Sequence, residues 1–307
     1  MSLRLGLGVA LALAFLGQAA PASAYCLTRG CNEATQSCAT DAQGCIVQPD
    51  SPVLYWDSSC VSFDVQRDAS SLRAISYEDA REAIHDGFAE WLGADCGDGR
   101  HPDITIKDYG PVECRTAEYN QDAGNANVFM FRDDDWPYEN SLDTLALTTL
   151  IFDADTGQIY DADVEVNTFE SDMSIEAIGA PVGHSEVDFR SVITHEIGHF
   201  LGLSHSNEDG ATMRPNYLPG NTQMASIEQD DIDGICAALP PGRGTGSSSC
   251  EPRHGFASEC AVADSGCSTA PGRSRSGGWL FAALFSSTLL SRLRRANRRR
   301  AANPGPR

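Results

Sequence analysis

Apolar and polar residues alternate along Val61-Ser62-Phe63-Asp64-Val65, and with Val53-Leu54-Tyr55-Trp56 just before it this predicts strands at the start of the chain's main body. The pattern then changes period. Ala80, Ile84, Phe88, Trp91 and Leu92 recur at helical spacing behind Ser76, a residue suited to cap a helix. Glu78 and Asp79 stand in the first turn of that helix, and Gly93 ends it. Short apolar runs at Ile104–Ile106, Val128–Phe131 and Leu145–Phe152 predict further strands. Asp155-Thr156-Gly157 turns the last of these into Ile159–Asn167. Helical patterns return at Ser185–Leu201 and Ser226–Leu239. Strands first and helices afterwards imply an α+β domain with a twisted mixed β-sheet, a helix over 185–201 and a C-terminal helix.

Both ends differ from this body. Residues 1–24 combine Arg4, an apolar run and Pro21-Ala22-Ser23-Ala24, which predicts a signal peptide cut after Ala24. Residues 25–50 are cysteine-rich, and residues 51–239 form the expected main domain. Residues 240–266, rich in Gly, Ser and Pro, read as a flexible linker. In residues 267–307, Cys267 precedes a short apolar run, Gly277–Ser291, and a cluster of arginines from Arg292 to Arg300. The apolar run is short for a transmembrane span.

Eleven cysteines and an export signal point to disulfides made in an oxidising compartment. The eight up to Cys236 can pair among themselves, Cys250 with Cys260 makes a local pair, and Cys267 is left over. From Tyr25 to Leu239 there are 40 Asp and Glu against 10 Lys and Arg. That excess argues against nucleic-acid binding, which needs cations facing phosphates. Asp153, Asp155, Asp161 and Asp163 offer oxygens for Ca2+, although the spacing is not that of an EF-hand and a hairpin with solvated acids explains it equally well. His85, His101, His184 and His254 lack partner spacing and read as surface residues.

The segment His195-Glu196-Ile197-Gly198-His199-Phe200-Leu201-Gly202-Leu203-Ser204-His205 is different in kind. His195 and His199 share one helical face, so both imidazoles can reach one ion. Gly202 lets the backbone leave the helix, which returns His205 as a third ligand. Three nitrogens and one open position make a catalytic zinc arrangement, whereas a structural site is closed by four protein ligands. Glu196 sits beside the open position as general base. Chance placement of these five fixed residue types has a probability on the order of 10⁻⁵.

This segment, followed by Met213, resembles the metzincin zinc peptidases and, among them, the matrixins. Met213 looks like the methionine turn beneath the metal. Met213-x-Pro215-x-Tyr217 resembles the segment lining the pocket for the residue after the scissile bond, and residues 229–235 resemble the start of the last helix. The resemblance implies a metalloendopeptidase with one catalytic Zn2+, a polypeptide substrate laid along the edge strand Leu145–Thr149, and Glu196 moving the water proton. It departs from the family in that the upstream strands lack the histidines of a second, structural zinc, and no cysteine-switch prosegment is visible. The tail resembles myxobacterial C-terminal sorting signals, which implies cleavage near Cys267 after transient membrane contact and display at the outer-membrane surface or release. The chain is expected to act as a monomer. The alternative function is a catalytically inert zinc-binding adhesion module, against which the intact Glu196 argues.

Overall fold

The structure, a computed structural model, describes residues 24–31, 38–42, 44–48, 50–138, 142–175, 183, 186–259 and 280–289. Most of the expected signal peptide, His184, Cys260, Cys267 and the arginine cluster lie outside the described residues. In chain order the elements are β1 (Cys26–Leu27), β2 (Cys60–Gln66), α1 (Tyr77–Leu92), β3 (Thr105–Val112), β4 (Val128–Phe131), β5 (Thr144–Asp153) and β6 (Ile159–Val166). After them come β7 (Met173–Ser174), β8 (Val187–Asp188), α2 (Phe189–Phe200), β9 (Leu203–Ser204), β10 (Asn216–Tyr217), α3 (Gln229–Ala238) and β11 (Leu280–Leu289). The main sheet has seven strands in the order β10-β11-β5-β6-β4-β2-β3. Strand β2 runs parallel to β3 and β4, β4 is parallel to β6, and β5 is antiparallel to β6. This is the mixed sheet of an α+β metzincin-like domain.

Helix α1 forms where the periodicity puts it. Ser76 accepts the Asp79 N–H, and Ala80, Ile84, Phe88 and Trp91 are buried against the sheet and α2. Two tryptophans then fix α2. Trp91 Nε1 donates to Thr194 O at 2.8 Å, and Trp56 Nε1 donates to Phe200 O at 2.7 Å. Phe88 meets Phe200 edge-on with ring centroids 5.4 Å apart. The helix starts at Phe189, four residues later than its apolar pattern suggests. Asp188 sets that start by accepting the Ser191 N–H and Oγ–H. Similarly α3 starts at Gln229, because Glu228 and Asp231 close a capping box there.

Several expectations are corrected by packing. Val53–Trp56 makes only single bridges, Arg29 with Val53 and Tyr55 with Gln158, and joins no sheet. Strand β2 is buried on both faces, so Ser62, Asp64 and Gln66 are inside rather than facing water. A second small core of Val112, Cys114, Ala126, Val128 and Met130 covers that face. Burial, with Asp108 nearby, pushes the Asp64 carboxyl up to about 8. The Asx-type turn around Asp153 uses its carboxylate on the N–H groups of Asp155 and Thr156, while Asp161 and Asp163 lie buried on β6.

The segment after Leu239 is not a free linker. Arg243 donates to the carbonyls of Trp56, Ser58 and Asp103, Ser59 N bonds Ser247 O, and Ala257 N bonds Asn125 O. Cys250 is joined to Cys60, which replaces the local Cys250–Cys260 pair expected from spacing. The other disulfides are Cys26–Cys45, Cys31–Cys38 and Cys96–Cys236, and Cys114 is disulfide-bonded as well. Sequence distance hid the Cys60 contact, because 190 residues separate the two thiols. Among the described residues no helix is long and apolar enough to cross a membrane, and residues 280–289 form a strand.

Replacing Cys60 and Cys250 together by alanine is expected to lower unfolding free energy by about 2–4 kcal/mol, since the bond closes a long loop. Urea unfolding of the oxidised proteins measures this. Trypsin should also cut after Arg243 faster in the double variant than in the parent.

Candidate metal centre

Helix α2 carries His195 and His199 one turn apart, both fully buried, and the chain then turns to bring in His205. The turn depends on Gly202, whose φ of 102° lies in the left-handed region that residues with a Cβ resist. As a result one ligand nitrogen from each of the three imidazoles lies within 4.8 Å of the others. Among the described residues, this is the one group of His, Cys, Asp and Glu with such geometry.

Hydrogen bonds on the far side of two rings fix which nitrogen faces inward. His195 Nδ1 lies 2.6 Å from Thr212 O, and His199 Nδ1 lies 2.9 Å from Leu203 O. A carbonyl only accepts, so each Nδ1 carries the proton and each Nε2 keeps its lone pair. Burial holds the rings neutral: it pushes His195 down to about 4 and, with the repulsion of His195, His205 down to about 3. His199 is lowered too, first by burial and then by its two neighbours. The Nε2 atoms of His195 and His205 are buried and accept no hydrogen bond. Buried lone pairs of this kind are costly unless something occupies the point they share. Three neutral imidazole nitrogens fit zinc with an open fourth position.

Glu196 is fully buried on α2, and its Oε2 accepts from Thr148 Oγ1 on β5 at 2.6 Å. Met213 lies beneath the helix with its sulfur against Gly198. A Cβ at residue 198 would come within 2.2 Å of that sulfur and 2.9 Å of the Trp91 ring, so no side chain fits there. Tyr217 is buried, and its hydroxyl accepts from Asp188 N and donates to Asn221 O. Pro215 is half-buried just before β10. A cavity of about 310 Å³ opens beside this segment, lined by Arg214, Asn216, Tyr217, Leu218, Asn221 and Met224.

Sequence reasoning assigned no role to two residues that matter here. Asp231 on α3 is buried, and its carboxylate accepts the N–H groups of Thr212, Met213 and Glu228. It thereby fixes the turn whose Thr212 carbonyl orients His195. Thr148 reads in the sequence only as part of a strand. Its neighbour in the chain gave no hint that the hydroxyl would meet Glu196, 48 residues away.

The matrixin family profile matches residues 55–238, which contain every group just described. Over 188 residues the chain is 26% identical to Metalloendoproteinase 1-MMP of Arabidopsis thaliana, covering 61% of this chain and 44% of that protein. It is also 26% identical over 199 residues to Matrix metalloproteinase-C of Caenorhabditis elegans, covering 63% and 30% respectively. A shorter stretch of 60 residues is 53% identical to Interstitial collagenase of Oryctolagus cuniculus, covering 18% and 12%. The chain therefore aligns with less than half the length of each of these relatives. With the profile covering more than half of this chain, and with a neutral imidazole triad over a methionine turn inside the matched region, the chain belongs to the matrixin family.

Proposed function

We propose that the protein is an exported zinc-dependent endopeptidase that hydrolyses peptide bonds of extracellular polypeptides. The observation carrying this reading is the convergence of His195, His199 and His205, with Glu196 buried on the same helix. The matrixin family is zinc-dependent and generally uses calcium as well. Held by the three imidazoles, zinc would supply Lewis acidity toward water and the scissile carbonyl. The rest of the work falls to the chain. Glu196, held by Thr148, accepts the proton of the attacking water and passes it to the leaving nitrogen. The C–N bond breaks, leaving a carboxylate and an amine. Substrate would lie extended along β5, where main-chain pairing gives affinity with little dependence on side chains. Tyr217 and the segment from Pro215 border the cavity suited to the side chain after the cut.

Export is supported by the disulfides and by the contacts of the first described residues. A cut after Ala24 would free the Tyr25 amine, whose nitrogen lies 3.0 Å from Asp230 Oδ1. The other oxygen of Asp230 accepts from Ser206 Oγ at 2.6 Å, next to His205. The new ammonium would thus be held on a carboxylate that already braces the metal loop. The tail reading, in which cleavage near Cys267 leads to surface display, is part of the same proposal and rests on the order of cysteine, apolar run and arginine cluster.

Glu196→Gln should keep zinc and fold but lower kcat by at least about 10²-fold, the usual worth of general-base assistance. Steady-state cleavage of casein by zinc-replete protein checks this, and near-normal turnover would remove Glu196 from the mechanism. Metal analysis of the purified protein should return one zinc per chain, lost to a chelator together with activity. Two tightly held zinc ions would require ligands other than the triad.

A further inference from the structure

Strand β11 occupies a telling place in the sheet. It lies between β5 and β10, antiparallel to β5 and parallel to Asn216–Tyr217. Leu280 pairs with Asp153, Phe285 with Thr148, Ser286 with Leu147 and Thr288 with Thr144. Thr288 and Leu289 then pair with Asn216 and Tyr217. The segment therefore runs the whole length of the edge proposed above for substrate. It crosses α2 as well as β5. Phe285 is opposite Thr148, the residue whose hydroxyl holds Glu196, and the register shifts between Ser286 and Thr288, just beyond that point.

We propose that residues 280–289 are an intramolecular occupant of the substrate cleft, which keeps the full chain latent until the tail is removed. The inference rests on the peptidase reading and names the regulation of the same site. An uncovered β5 edge would present a row of main-chain N–H and C=O groups, and a strand with low sequence demands satisfies them. Leu280–Leu289 contains neither proline nor charge, so every residue can pair. Twenty residues, 260–279, separate it from Glu259, and a chain of that length can span up to about 70 Å, enough to reach across the domain. Being in the same chain, the segment competes at an effective concentration on the order of mM, so a substrate peptide of ordinary affinity is excluded. Cleavage anywhere between Glu259 and Leu280 would end that advantage, which couples tail removal to activation.

The test uses the full chain with and without Ala283→Pro and Leu284→Pro together. Both residues pair with β5, opposite Leu150 and Thr149, and successive N–H groups of a strand point to opposite sides, so one of the two prolines removes a bond to β5 whichever way the strand faces. Hydrogen exchange of the β5 amides, Thr144–Asp153, is read in a Glu196→Gln background, where no turnover can trim the tail. Protection in the parent that is lost with the prolines is expected, and equal exchange in both would overturn the docking. With Glu196 intact, kcat/KM for a short quenched peptide should rise about tenfold in the proline variant. An unchanged value in a chain that does cleave the peptide would overturn the latency. If neither form cleaves although protection is lost with the prolines, the strand docking stands and the peptidase reading fails.

Discussion

Everything in this molecule that bears on chemistry depends on keeping three buried imidazoles neutral with their Nε2 lone pairs aimed at one point. A buried ring loses hydration whichever way it faces, so its orientation must be set by a hydrogen bond on the other nitrogen. Thr212 O and Leu203 O supply those bonds for His195 and His199. Each carbonyl is itself held in place by something further out. Leu203 follows the left-handed Gly202, and Thr212 sits in a turn that Asp231 grips through two main-chain N–H groups. Buried as it is, Asp231 has its carboxyl raised toward the neutral form by burial, and the three N–H groups it accepts act in the opposite direction. A helix near the end of the domain thus sets the tautomer of a histidine on the helix before it.

The second dependence runs from the sheet to Glu196. Helix α2 is anchored to the body by two tryptophan N–H donors, one at its middle and one at its C-terminal end, so its position against β5 is fixed. Only then can Thr148 reach Glu196. The same strand that holds Glu196 carries an extended segment, β11, along its edge opposite β6, which places that segment and the carboxylate in register by construction. Occupation of that edge by residues 280–289 follows from the same geometry, since main-chain pairing does not distinguish a tail from a substrate.

The heavy acidic excess is distributed unevenly between surface and interior. Among the described residues most carboxylates are exposed, but Asp64, Asp161, Asp163, Glu165, Asp188, Glu196 and Asp231 are buried. Some are fully used: Glu165 pairs with Arg132 and Tyr138, and Asp163 accepts from Val128 N and Glu118 N. Burial raises Asp161 and Asp163 well above the ordinary carboxylate range. The Cys60–Cys250 disulfide holds the segment after the body against it, whereas Cys96–Cys236 joins two parts of the body itself.

The sequence by itself determined whatever is local and periodic. Helix α1 could be read from Ser76 and the Ala80–Trp91 spacing, and the convergence of His195, His199 and His205 from the i, i+4 histidines and the glycine that returns His205, because the helical period fixes which side chains share a face. The α+β class followed from the order of those patterns. Tertiary structure alone decided what depends on contacts between distant residues. It buried both faces of β2, paired Cys60 with Cys250 across 190 residues, and laid the Gly-rich segment after Leu239 onto the body through Arg243. It also gave Thr148 and Asp231 their roles and turned an apolar tail run into a sheet strand. A strand's partner and a carboxylate's donors are chosen by the folded surroundings, and no spacing along the chain encodes them.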